Sequence, residues 1–302
     1  MMSAIRRGSI CSCLKDPSSA YVAMDHELRA KLEKCFSMTF NDDDDDCGSS
    51  GVIVMQINGS DTIVVLDGHN ECIKTFCLKN GELLSNRYKL DDRPSSITQT
   101  EPEKIAVSFF ESKKIAFYSL ALGFTLERTI ETEKQYYSVA AVTETNFIAS
   151  AVWDNPVCVD FLEITDAVKV IKSVTSYEDK PLFTCPENIY VTIKKDILIS
   201  DHGRKAVVCL DDQGNIKFLY HPACQHELET PLGVTSDDEG YIYVVDQSRC
   251  LVEKISTEGK YIGPSLTDHD GIENPSTVGF DSKQRMYISQ ENGDLKIFSL
   301  MN

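Results

Sequence analysis

Six histidines, four of them in turns or connections, a run of five aspartates and eleven cysteines are the residues of this chain whose chemistry calls for a partner atom. A zinc site needs three or four donors converging at about 2 Å. His69, His202, His226 and His269 are too scattered to demand one, and His226-Glu-Leu-Glu-Thr230 stops one histidine short of HExxH. A calcium loop needs alternating carboxylates, a glycine at its sixth position and a glutamate at its twelfth. Counted from Asp42, those positions hold Cys47 and Ile53; counted from Asp43, Gly48 fits but Val54 does not. The run 42–46 therefore reads as a solvated acidic loop. GxSxG and GxxxxGK[ST] are both missing. The cysteines are odd in number, irregular in spacing and without a CxxC, which reads as reduced thiols of a cytosolic protein. The expectation is no catalytic residue, no metal and no cofactor.

Other residues recur at fixed distances. Asp201 lies fifteen residues after Pro186, and Asp246 fifteen after Pro231; Phe109 and Gln290 stand at the same distance from Pro94 and Pro275. Asp67 and Ala151 end two more apolar runs in this frame, so the slots 67, 109, 151, 201, 246 and 290 follow one another at intervals of 42, 42, 50, 45 and 44. A second apolar segment begins five or six residues after each of the first five slots, and a glycine follows four of them by thirteen or fourteen (Gly81, Gly123, Gly214, Gly259). TIVVL at 62–66, DILIS at 196–200 and YIYVV at 241–245 are β-branched or apolar on both faces, as strands covered on both sides must be. Asn58-Gly59 is a hairpin turn. The slot carboxylates are placed to accept backbone N–H groups in the turn after the second strand.

Four strands in about 44 residues, repeated six times, predict an all-β six-bladed β-propeller over residues 35–302. The sixth unit ends before its glycine turn and so lacks an outermost strand. Residues 35–40 (CFSMTF) form a strand without a unit, and the expectation is that they pair onto the last blade and close the ring. Residues 1–34 make an N-terminal arm, disordered at first and then helical over 20–34, where Met24, Leu28 and Leu32 share a stripe. At 302 residues the chain can bury a core without disulfides. It shows neither a run of about 18 apolar residues nor a secretory h-region, so no membrane role is expected.

Residues 241–246, 251–255 and 259–262 together resemble an NHL repeat, as do 63–67 with Gly68-His69-Asn70 and the strand 72–76. The strand 36–40, the aspartate run and the first blade are together similar to the C-terminal propeller of TRIM-NHL proteins, of the divergent invertebrate kind. No RING or B-box spacing accompanies them. The resemblance implies a non-catalytic platform for protein or RNA, such as the substrate adaptor of a ubiquitin-ligase system. Lactonases and other six-bladed propeller enzymes share only the fold.

In such a ring the blade-to-blade connections and the turns after the slots share one face. That face collects Arg93, Lys134, Tyr136, Tyr137, His202, Arg204, Arg249 and His269, beside Asp91, Asp92 and Asp270. Aromatics and arginines anchor protein interfaces. Net charge is −17; residues 1–34 carry six Lys/Arg and four Asp/Glu, a net of +2, which leaves −19 on the ring. Phosphate backbones prefer cationic surfaces, so DNA is not expected and single-stranded RNA ranks behind a protein partner. The reading is a monomeric, cytoplasmic, protein-binding propeller, with RNA binding second and a hydrolase third.

Overall fold

The computed structural model describes residues 30–44, 47–79, 82–222 and 226–301. Strand β1 (Ala30–Ser37) precedes the first blade, which is formed by β2 (Ser49–Ile57), β3 (Ser60–Asp67), β4 (Cys72–Lys79) and β5 (Glu82–Lys89). Blade two is β6 (Ser96–Glu101), β7 (Lys104–Phe109), β8 (Lys114–Ser119) and β9 (Thr125–Glu131). Blade three is β10 (Ser138–Ala141), β11 (Asn146–Ala151), β12 (Cys158–Ile164) and β13 (Val168–Val174). A small hairpin follows, β14 (Ser176–Tyr177) with β15 (Lys180–Pro181). Blade four is β16 (Pro186–Val191), β17 (Ile197–Asp201), β18 (Ala206–Leu210) and β19 (Ile216–Tyr220). Blade five is β20 (Pro231–Ser236), β21 (Ile242–Asp246), β22 (Leu251–Ile255) and β23 (Tyr261–Leu266). Blade six is β24 (Pro275–Phe280), β25 (Arg285–Gln290) and β26 (Asp294–Leu300), with β1 as its fourth strand.

Every blade is an antiparallel meander, and the six innermost strands β2, β6, β10, β16, β20 and β24 neighbour one another around a central channel. The fifteen-residue spacing is the register of the inner hairpin: Pro186 pairs with Asp201, Pro231 with Asp246 and Pro275 with Gln290. Each of these prolines opens its strand and is followed by a bulge, a position where a missing N–H breaks no ladder. The core is six apolar layers, one between each pair of adjacent blades. In β3, Val64 and Leu66 pack toward blade two while Ile63 and Val65 pack toward blade six, which is why this run carries no polar face.

Closure occurs as expected, but earlier in the chain. β1 runs antiparallel to β26 from Ala30 opposite Leu300 to Ser37 opposite Asp294, with a bulge between Leu32 and Lys34. The helix expected over 20–34 is therefore overturned in residues 30–34, and its remainder, with the rest of the arm, lies outside the described residues. The reason is burial: Ala30 is 5 % exposed in the layer between blades five and six, whereas Leu32 of the supposed stripe points outward. Phe36 and Phe40, at 5.2 and 6.0 Å from Phe76, seal the seam to blade one. The long interval of 50 is the β14–β15 hairpin, turned by Glu178 and Asp179 at φ 48° and 61° as a two-residue loop of the primed type requires.

Candidate recognition face

The slot aspartates hold the chain as it enters each blade. Asp67 Oδ1 accepts the N–H groups of Gly48, His69 and Asn70 at 3.1–3.2 Å. Asp201 accepts those of Thr184 and Cys185 at 2.8 Å and of Arg204 at 2.9 Å, and Asp246 those of Glu229 and Thr230 at 2.9 and 3.0 Å. Gln290 takes the Glu273 N–H at 3.3 Å in the same position. Where Phe109 and Ala151 occupy the slot, the preceding serines are bonded at the entries instead: Ser95 Oγ lies 2.9 Å from Ser108 Oγ at blade two, and at blade three Ser150 Oγ accepts from Ser138 N while Ser108 Oγ donates to Tyr137 O. All of these aspartates are fully buried, so their role is structural.

The turns after these slots and the blade-to-blade connections lie on one face, since consecutive strands alternate in direction. Of the predicted contact residues, Arg93 is exposed there and Tyr137 is half-buried. His269 stands out beside Asp268 at 3.4 Å. His202 lies 3.6 Å from Glu187. Arg204 donates to Pro181 O at 2.8 Å and so pins the β14–β15 hairpin. Arg249 donates to Glu227 O at 3.2 Å and sits 3.4 Å from Glu253.

One of the expected contacts belongs to the interior, and a second is tied to it. Tyr136 is 2 % exposed and donates to Asp160 Oδ2 at 2.8 Å; burial and the Asp160 charge push its hydroxyl well above the usual tyrosine range. Lys134, half-buried, reaches the same buried carboxylate at 2.7 Å. His226 lies in the connection into β20. It stacks on Tyr261 at 4.1 Å, opposite Ile255 at the end of β22 remote from the slot.

Residues not singled out from sequence supply the surface. Trp153, the sole tryptophan, is 59 % exposed and lies parallel to Tyr137 at 6.0 Å. Phe110 completes the cluster at 5.5 Å from Tyr137 and 5.7 Å from Trp153. These three rings come from the turn after β7, the connection into β10 and the turn after β11. The available signal was that the residue after the degenerate slots 109 and 151 is apolar, Phe110 and Val152, with Trp153 next. Beside the cluster opens the channel, a cavity of about 310 Å3 whose lining of Ser, Thr, Gly, Asn, Gln and apolar side chains contains no charged residue.

The aspartate run is not wholly solvated, contrary to expectation. The Asp43 side chain is 1 % exposed and its Oδ2 lies 2.5 Å from Lys74 Nζ, while Asp42 remains exposed. Asp43, Asp67 and Cys72 bring ligand atoms within 4.8 Å of one another, the geometry of a metal cluster. The Lys74 ammonium, 2.5 and 2.6 Å from the two carboxylates, already supplies the cation. Cys35, Cys47, Cys72, Cys77, Cys158, Cys185 and Cys209 form no disulfide. Cys185 is pushed up to about 12 by burial and the nearby Glu187, which is the opposite of nucleophile activation. Among the described residues no helix is long and apolar enough to cross a membrane.

No family model and no curated protein sequence matches the chain. Solved structures match it throughout. A virginiamycin B lyase from Staphylococcus aureus is similar over 90% of this chain and 100% of its own, at 12% identity and a TM-score of 0.61. The WD40 propeller domain of Doa1 is similar over 90% of this chain and 98% of its own, at 14% identity and a TM-score of 0.62. A gluconolactonase-like protein covers 90% of this chain with 93% of its own, at 12% identity and 0.62. These likenesses define the class, a six-bladed β-propeller. Because they span enzymes and a WD40 domain, no activity follows from them.

Proposed function

We propose that the chain is a non-catalytic recognition module that binds a protein partner through the face carrying the slot turns. The observation that carries this reading is the Phe110–Tyr137–Trp153 cluster, aromatic surface left open on that face. Exposed aromatic side chains of this kind are the usual anchors of protein interfaces. Support also comes from the channel inside its mouth, whose lining carries no charged or metal-ligating side chain of the kind a hydrolytic centre needs. The repeat frame built on Asp67, Asp201 and Asp246 favours kinship with NHL-type propellers, and with it a substrate-adaptor role in a ubiquitin-ligase system. Free buried thiols fit a cytoplasmic setting.

The test is affinity capture from a cell extract on the full chain and on Trp153→Ala, with and without nuclease. A protein captured by the unchanged chain, lost with Trp153→Ala and indifferent to nuclease is the expected result. Capture abolished by nuclease moves single-stranded RNA to first place, and capture indifferent to Trp153 removes the face from consideration.

A further inference from the structure

Where the channel opens onto the aromatic cluster, all six blades contribute to a mouth of about 150 Å3. Ligand pockets for free-standing small molecules run to roughly 300–1,000 Å3. The mouth by itself has room for a side-chain head group, and it shares Ser50, Ser96, Asn188, Gly233 and Thr277 with the channel behind it. Its one charged wall residue is Glu187, from the start of β16. Within 4 Å this carboxylate has a single basic neighbour, the His202 ring at 3.6 Å, and it also accepts from Cys185 Sγ at 3.4 Å. No Lys or Arg of the described residues pairs with it. Serines line much of the remaining wall (Ser49, Ser50, Ser95, Ser96 and Ser276), which adds no positive charge to compete for Glu187. Tyr137 contributes the third wall and joins the mouth to Trp153.

We infer that this mouth is a socket for one cationic side chain, a lysine or arginine on an exposed segment of the partner protein, with apolar residues beside it resting on Trp153. The inference rests on the protein-recognition reading above and names the chemistry of its partner. Glu187 takes the charge, and the Tyr137 ring lies alongside the aliphatic stem or guanidinium plane. Whole-molecule charge agrees, since a net −17 attracts basic segments over distance and disfavours acidic ones.

The experiment selects a random-peptide display library on the full chain and repeats the selection on Glu187→Gln and Trp153→Ala. Both side chains are partly exposed, and equal melting temperatures of the three proteins establish that the variants fold. The expected outcome is enrichment of peptides with one invariant Lys or Arg. Changing that residue to Gln, or Glu187 to Gln, should weaken the enriched peptide about tenfold or more, the usual effect of losing a hydrogen bond to a charged group, and the two changes together should cost no more than either alone. Peptides that need Trp153 but tolerate Gln for every cation overturn the socket and leave the recognition face standing. Enrichment indifferent to both variants, or no enrichment, overturns both.

Discussion

Lys74 Nζ lies 2.6 Å from Asp67 Oδ2 and 2.5 Å from Asp43 Oδ2, and none of the three side chains is more than 1% exposed. One ammonium thus joins the slot of blade one to the connection that follows the closing strand. Replacing Lys74 with Met leaves two carboxylates buried together. Breaking a buried pair in this way costs about 3–5 kcal/mol, so a melting temperature lower by roughly 10 °C is expected by calorimetry. A Lys74→Met variant as stable as the parent would show that the two acids contribute nothing to closure.

The same cluster sets the response to acid. Burial pushes the Asp67 carboxyl up, but the hydrogen bonds from Lys74 and Asn70 outweigh it and hold it below the usual carboxylate range. A carboxyl depressed in the folded state gives stability that is present above its unfolded value, about 3.9, and is lost as pH falls through the lower folded one. Lys74 is raised by the same partners against the opposing effect of burial, so its contribution persists up to about pH 10 and fades above that. A flat melting temperature from about pH 5 to 9 with a fall below about pH 4 is expected, and Asp67→Asn should lower the plateau and shallow the acid limb. An unchanged acid limb in Asp67→Asn would place the acid sensitivity elsewhere.

Removing residues 1–40 takes away β1 together with Met38 and the rings of Phe36 and Phe40, and opens β26 as a bare edge. The lost apolar burial is worth several kcal/mol at about 25 cal/mol per Å2. The truncated protein should melt at least about 10 °C lower and aggregate on heating, while removal of residues 1–19 should change nothing. Identical melting curves for the two truncations would refute closure by this strand.

The ring was legible because its rules are local. A proline at the head of one strand and an acid at the end of the next are set by a hairpin register, so they recur in sequence. The closing strand was misplaced by several residues because residues 30–34 satisfy a helical stripe equally well, and only pairing with β26 decides between them. The site was harder. Tyr136 and Tyr137 are adjacent and alike in type, yet one turns inward to Asp160 and the other outward to Trp153. That choice depends on Asp160, 24 residues further on, and no periodicity encodes it. Lys74 and Asp43 likewise meet across 31 residues of separation.

Hydrolysis of lactones or esters is not expected, nor stabilisation by calcium or zinc. Inside the mouth that holds Glu187, the channel lining offers hydroxyls and amides but no imidazole, thiol or carboxylate, and among the described residues the convergent set of Asp43, Asp67 and Cys72 already surrounds Lys74. A metal held at micromolar affinity must stabilise the native state, by about 2.7 kcal/mol at a hundredfold excess over the dissociation constant. The measurement is the melting temperature with either metal in excess over a chelated control, together with turnover of a panel of simple lactones. A rise of several degrees, or saturable turnover, would overturn the expectation.

Binding of single-stranded RNA should be micromolar or weaker at physiological salt, the range of non-specific association. The three arginines expected to meet phosphate are unequal. Arg204 and Arg249 already donate to Pro181 O and Glu227 O, and Arg249 also sits 3.4 Å from Glu253, so only Arg93 is largely uncommitted. Each phosphate brought to this face also meets Asp42, Asp91, Asp268 or Asp270 on an assembly whose total charge is −17. Screening confines that repulsion to about 8 Å at 0.15 M salt, so a compact basic patch could escape it. Stacking on Trp153 and Tyr137 adds about 1–3 kcal/mol per base, enough to bring a short segment to the surface but not to offset several unfavourable phosphates. Titration of the full chain with a randomised single-stranded pool at two salt concentrations decides the matter. Micromolar binding that disappears as salt is raised is expected. Nanomolar binding of a selected sequence, abolished by changing Arg93, Arg204 and Arg249 to Glu, would make RNA the primary ligand of this face.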